Sequence, residues 1–328
     1  MKKFTLKQPN LTELSKEMFL ETDEIHQWND FYGHATVLKK HILFKIKSLY
    51  FTLEHGVSID EIIWHIDKNS TLRFSVTYSN IRKKIYENQL KKYVFNIGSI
   101  MNYVDLKEKY TKNGSIYFLT HSTHEVDVNL NSQLIINELK NLPNNLIPKY
   151  VCLYWKDIQR NKHEIFLKNG FKVVTAGHMY DNLFLYRLKE ILLNFEILLT
   201  SELGSHVFHA YACGLKIIVP NNLTNFFLDE KYKLSEFYSN YDEKNEIDLS
   251  IDSFNQMNEV FISIFSNNNL VYEDLQTIFL NYFCTTKKKS RLSLTIIHVL
   301  GLLTYKFHRR RFFNHFFDFF FIRINKFF

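Results

Sequence analysis

FKVVTAGH (171–178), DNLFLYRLKEILLNF (181–195), EILLT (196–200), SELGSH (201–206), VFHAYAC (207–213) and LKIIVP (215–220) decide the fold. In order they read as a buried strand entering a turn, an amphipathic helix, a second strand, a turn, a short helix and a third strand. Phe184, Leu188, Ile191 and Phe195 fall at 4-3-4 spacing and form one apolar stripe. Strands that alternate with helices predict parallel pairing and right-handed crossovers. The SELGSH turn places Glu202, Gly204, Ser205 and His206 where a strand gives way to a helix. Unpaired N–H groups and the helix dipole make such a corner favourable for a phosphate. Ser205 is the expected N-cap of the short helix, and Gly214 its C′ residue.

The same pattern extends upstream. GSIYFLTH (114–121) and YVCLYW (150–155) read as strands, NSQLIINELKNL (131–142) as a helix, and DIQRNKHEIFLKNG (157–170) as a helix stopped by Gly170. Five strand–helix steps then span residues 114–220, a doubly wound domain. In the common strand order 3-2-1-4-5, ligands bind beyond the C-terminal ends of the first and fourth strands. The loops THSTHEVD (120–127) and SELGSH (201–206) would therefore face one crevice, which adds His121 and Ser122 to the candidate site. Hydroxyls and imidazoles beside a helix N-terminus suit a diphosphate. His121, His124 and Glu125 resemble metal ligands in type. However, the stretch follows a strand and lacks the H-E-x-x-H order, so a polar loop is the better account and no metal site is predicted. In TAGHMYD (175–181), His178 either meets a base or ribose or is a loop residue before Asp181 caps the next helix. Arg187, off the apolar stripe, either pairs with phosphate or is solvated, and solvation is the expectation.

Residues 1–110 give a second strand–helix–strand unit in LRFSVTYS (72–79), IRKKIYENQLKK (81–92) and YVFNIGS (93–99). HILFKIKSLYFTLE (41–54) fits either strand or helix, and DEIIWHI (60–66) a short buried element. His55, followed by Gly56, ends a hydrophobic run. At an interdomain cleft it would serve as a general base toward an acceptor hydroxyl, with Asp60 and Glu61 as rivals and a structural histidine as the plain alternative. Gly98 and Ser99 read as a turn at the same cleft.

Of the 328 residues 46% are hydrophobic, with only 4 Pro and 9 Gly, which allows a core in each half. Cys152, Cys213 and Cys284 are scattered without a CxxC pair, as in a reduced intracellular protein. MKKFTLKQPNLTELSKEMF (1–19) has no apolar run behind its lysines and does not read as a signal peptide. No stretch reaches the roughly 18–20 uncharged apolar residues of a spanning helix. The net charge of +7 is uneven: residues 287–328 hold ten Lys/Arg against Asp318, leaving 31 basic and 33 acidic residues elsewhere. A near-neutral body argues against nucleic acid as a partner. The tail carries ten of the 31 Phe, and Phe313, Phe316, Phe317, Phe320, Ile324 and Phe327 share one helical face. A basic, aromatic amphipathic helix favours an anionic membrane surface; packing back on the body or against a partner helix is the alternative. The expected domains are residues 1–110, 111–285 and the 286–328 tail.

HSTHEVD (121–127), KDIQRNKHEIFLKNGFKVVTAGHMYDNLFLYRL (156–188) and SELGSHVFHAYACGLKIIV (201–219) together resemble bacterial surface-polysaccharide (lipopolysaccharide or capsule) glycosyltransferase-like proteins of the GT-B fold. His55-Gly56 and FNIGSIMNY (95–103) are more loosely similar, so coverage is about residues 50–220. The resemblance implies an α/β protein of two Rossmann-like domains facing a cleft. The C-terminal domain would hold a nucleotide-sugar and the N-terminal domain a glycan or lipid-linked acceptor, with no cofactor and no bound metal. It gives the phosphate role to Gly204, Ser205 and His206, with His121 and Ser122 lining the same crevice. The implied location is the cytoplasmic face of a bacterial plasma membrane. A nucleotide-sugar epimerase and a non-catalytic polysaccharide assembly protein are the alternative readings.

Overall fold

The computed structural model describes residues 10–122, 126–128, 131–220, 233–234, 256–266, 273–284 and 287–307. Two parallel sheets organise them. The first has the order β1 (Thr52–Leu53), β2 (Phe74–Thr77), β3 (Tyr93–Asn96). The second has five strands: β4 (Ser115–Phe118), β6 (Tyr150–Cys152), β7 (Lys172–Val174), β8 (Ile197–Thr200) and β9 (Lys216–Ile218). Their spatial order is β7-β6-β4-β8-β9, all parallel, with Phe118 opposite Thr200 at the β4–β8 switch point. This is the 3-2-1-4-5 order expected from the sequence, and the chain is an α/β protein. A short antiparallel pair, β5 (Val126–Asp127) with β10 (Lys233–Leu234), lies apart.

Helices α1 (Leu11–Leu14), α2 (His34–Lys39), α3 (His65–Lys68) and α4 (Asn80–Leu90) belong to the first half. Ser79 caps α4, its hydroxyl accepting from the Arg82 N–H at 3.1 Å. In the second half come α5 (Ser132–Lys140), α6 (Trp155–Gln159), α7 (His163–Lys168), α8 (Phe184–Leu193) and α9 (Ser205–Ala212). Leu188, Ile191 and Phe195 of the α8 stripe are buried. They are followed by α10 (256–265), α11 (Glu273–Phe283) and α12 (Arg291–Phe307). α11 packs on both α4 and α9. One apolar cluster runs through both sheets, from Phe74 and Phe95 to Ile116, Leu198 and Phe208.

Three local expectations need correction. Residues 157–170 form two helices, because Asn161 takes a left-handed conformation (φ 59°) and the Lys162 N–H bonds back to the Asp157 carbonyl. Residues 41–54 are irregular except for β1; the segment is held by buried side chains rather than by a ladder. Thus the Asn29 amide donates to the Phe51 carbonyl and accepts from the Leu53 N–H, both at 2.8 Å. The N-cap of α9 is Gly204, which makes no side-chain cap bond, and Ser205 is the first helical residue. Gly214 does take the left-handed C′ position (φ 73°). Among the described residues no helix is long and apolar enough to cross a membrane. The Phe-rich segment 308–328 lies outside them.

Candidate functional site

Beyond the C-terminal ends of β4, β6 and β7 lies a cavity of about 300 Å³. The second half lines it with Phe118, His121, Tyr154, Thr175, Ser205, His206 and His209, and the first half with Tyr32, His34, His55 and Gly56. The two polar loops at the switch point therefore meet at one cavity, and the histidine at the end of β1 reaches it from the other sheet.

Each wall is set by its own backbone. His121 follows β4 by three residues, and its ring lies 4.7 Å from that of Tyr154, which follows β6. His206 stacks parallel on Phe118, centroids 5.5 Å apart, while its Nε2 meets the Thr200 hydroxyl at 2.9 Å. His209 is one helical turn after Ser205 and His206, on the same face of α9. Ser205 joins the halves: its Oγ accepts from the Val57 N–H at 3.0 Å. Gly56 permits that approach. Its φ is +71°, and a Cβ there would sit 2.8 Å from the Ser205 Oγ. His55 stands among the rings of Trp28, Phe31 and Tyr32, at 5.1, 5.2 and 5.6 Å.

Tyr32 forms part of the wall in a conformation that few non-glycine residues adopt (φ 58°). Its N–H donates to the Met179 carbonyl at 2.6 Å, and its hydroxyl lies 3.3 Å from that of Tyr154. The following Gly33 (φ +74°) has no room for a side chain, since a Cβ would meet the Asn182 carbonyl oxygen at 2.5 Å.

Burial favours the uncharged form of His34, His121, His206 and His209. It pushes the His206 imidazole down to about 3 and that of His209 to about 4, and neighbouring histidines add to the effect at His206. His34 is held well below the usual range by burial, then by His55 and His209. His121 is lowered by burial despite the opposing pull of Asp157. An entering polyanion would favour the charged imidazoles and reverse these shifts.

Of the residues singled out from the sequence, His55, His121, Ser205 and His206 line the cavity, and Gly204 is the N-cap of α9. The others stand elsewhere. Ser122 is fully buried one residue behind His121: its N–H donates to Asp157, and its hydroxyl accepts from the Val128 N–H and the Lys162 ammonium. It shapes the loop rather than the cavity wall. Glu202 is buried in the turn, where its carbonyl and N–H bond the Thr200 hydroxyl. His178 is fully buried under Trp155, ring centroids 3.9 Å apart, with its Nδ1 accepting from the Tyr180 N–H. Asp60 lies outside the cavity lining: its carboxylate accepts from the Ile62 N–H and stands 3.6 Å from Arg82. Arg187 is tied to the Ala176 carbonyl and to Asp181. Among the described residues no three His, Cys, Asp or Glu side chains are grouped to hold a metal ion, and His124 and Glu125 lie outside them.

Tyr32, His34, Tyr154 and His209 were not found from the sequence. His209 had a legible signal, the i+3 and i+4 spacing from His206 and Ser205. Tyr32 and His34 had only a Tyr-Gly-His run with no strand pattern before it.

No family model matches the chain, and no curated protein does. Solved structures do match. One is an S. aureus TarM mutant in complex with fondaparinux, α-GlcNAc-glycerol and UDP: 14% identity, TM-score 0.31, covering 72% of this chain and 51% of that one. Another is Anabaena Alr3699/HepE in complex with UDP: 9% identity, TM-score 0.31, covering 77% and 72%. The chain thus spans about half the length of TarM. The fold stands on the strand order and parallel pairing described above.

Proposed function

We propose that this chain is a metal-independent glycosyltransferase of the GT-B type, moving a sugar from a nucleotide-sugar to a growing surface polysaccharide or lipopolysaccharide acceptor. One observation carries the reading: His121 after β4, Ser205 and His206 at the start of α9, and His55 from the other sheet all border one cavity. In this reading the diphosphate lies at the α9 N-terminus. There the first-turn N–H groups and the Ser205 hydroxyl donate to it, and the dipole stabilises the leaving charge. The Ser205 oxygen accepts from Val57 and keeps its own proton to give. His206 and His121 take up protons as the anion enters. His55 faces the diphosphate corner from the first half and receives the proton of the acceptor hydroxyl. Holding donor and acceptor between two rigid walls supplies much of the rate. The acceptor and the location, at the inner face of a bacterial plasma membrane, rest on the family resemblance and on the basic Phe-rich tail.

A thermal-shift panel of UDP-, GDP-, CMP- and TDP-sugars tests the donor site, since a ligand that binds the folded state raises its melting temperature. One nucleotide class should raise it in the parent chain and fail to do so in Ser205→Ala/His206→Ala. A flat response across the panel overturns the reading. Donor conversion without acceptor would identify an epimerase instead.

A further inference from the structure

The body of the protein carries an exposed face that the nucleotide cavity does not use. Residues 40–44 run along the first turns of α12. The Leu43 N–H donates to the Thr295 hydroxyl at 3.0 Å, and the Arg291 guanidinium reaches the carbonyls of Lys40 and Ile42 at 3.4 Å each. The Phe44 ring lies 6.0 Å from that of His298. Leu292 lies one helical turn before Thr295 on α12. Ile42 is buried in the core, yet Leu43, Phe44 and Leu292 are 55%, 47% and 59% exposed. Three large apolar side chains at a junction otherwise fixed by hydrogen bonds are not required by the core.

The surroundings of the strip are cationic. Lys40, His41, Lys288, Lys289 and Arg291 line a surface cleft of about 490 Å³, in which Asp105 is the one carboxylate among the described residues. Exposed Lys45 and Lys287 extend the charge on either side. Crowding is visible at Lys289, whose ammonium is lowered by burial and then by Lys83 and Lys287. Apolar side chains projecting from a rim of lysines match a bilayer with anionic headgroups: the side chains enter the acyl boundary while the lysines stay at phosphate level. A soluble protein partner would leave the excess positive charge unanswered unless it were itself acidic.

We propose that the 40–45 strip and the start of α12 form a docking face for an anionic phospholipid surface, built into the folded body and separate from the 308–328 tail. The proposal concerns a lipid surface and stands whether or not the cavity binds a nucleotide-sugar.

The test uses the full chain with vesicles of phosphatidylcholine alone or with phosphatidylglycerol. An environment-sensitive fluorophore is attached at Phe44→Cys; the three native cysteines are buried and should stay unlabelled. Expected are a blue shift on anionic vesicles only and its loss at high salt. Leu43→Ser/Leu292→Ser in the labelled chain, and separately Lys45→Gln/Lys287→Gln/Lys288→Gln, should each weaken the response by about tenfold or more. Every substituted position is exposed, so melting temperatures should stay near that of the parent. Cosedimentation with anionic vesicles while the probe remains in water assigns the binding to the tail and overturns the proposal. So does an equal response on neutral vesicles. A probe shift that follows protein concentration without lipid makes the strip a contact between copies and likewise overturns it.

Discussion

The two halves of the molecule position their cavity walls by different means. In the second half, β4, β6 and β7 of the five parallel strands end at the cavity, and His121, Tyr154 and Thr175 follow strand ends that apolar packing fixes. In the first half the sheet has three strands, and β1 is only two residues long. There the wall rests on buried polar side chains. Glu54, next to His55, pairs with Arg82 at 2.5 Å, both almost fully buried, and Arg82 also binds the carbonyls of Asp60 and Ile62. Burial pushes the Glu54 carboxyl up, while Arg82 pulls it back. A ladder can place a residue from local pattern alone, whereas a buried ion pair places one only when distant partners are present.

The sharpest way to break this comparison is Arg82→Met. Leaving Glu54 buried without its partner should cost about 3–5 kcal/mol. A shift of the urea midpoint at unchanged slope would measure it, and a cost below about 1 kcal/mol would mean that the pair does not hold the first half. Next in size is Ser205→Ala/His206→Ala, where the halves meet. Turnover should fall by about 10²-fold or more with the far-ultraviolet spectrum unchanged; parent-like turnover would remove the phosphate corner from the proposed mechanism.

Two smaller effects sharpen the contrast. Gly56→Ala forces an alanine into left-handed backbone against the Ser205 oxygen. It should lower stability by about 1–2 kcal/mol, and Gly33→Ala by more, because its obstacle is a backbone carbonyl. Equal costs would show that the Gly33 turn can yield. Buried histidines and buried carboxyls also answer pH in opposite directions. His206 and His209 have folded values below the 6.5 of the unfolded chain, so their contribution is complete above 6.5 and is lost as pH falls toward 4 and 3. The raised carboxyls of Glu24 and Glu54 instead cost stability as pH rises through 4.5. His209→Gln should therefore flatten the acid side of the stability curve by about 1 kcal/mol per pH unit below 6.5, read from melts between pH 5 and 7. An unchanged slope would mean that His209 is not kept neutral by the fold.

The same contrast explains what could be read from the sequence. The order of the five strands, the α8 stripe and the meeting of His121 with Ser205 and His206 followed from hydrophobic period and one topological rule, because packing there follows chain order. The place of His178 after a strand makes it a candidate in the sequence, yet Trp155 covers it. His34, which follows Gly33 and does border the cavity, has no strand before it and is positioned by Tyr32 bonding to Met179. Contacts between residues more than a hundred positions apart leave no periodic trace. Asp60 illustrates the same limit, since its engagement with Arg82 follows from burial and not from spacing.

The bond from the Val57 amide to the Ser205 oxygen has a consequence for watching the molecule at work. Its donor is a main-chain amide bonded across the seam to a side-chain oxygen, so its proton can trade with deuterium only when the seam parts. The exchange rate of that one amide then counts separations of the two lobes. A ligand gripped by both would slow the clock, and one held by the second lobe alone would leave it running.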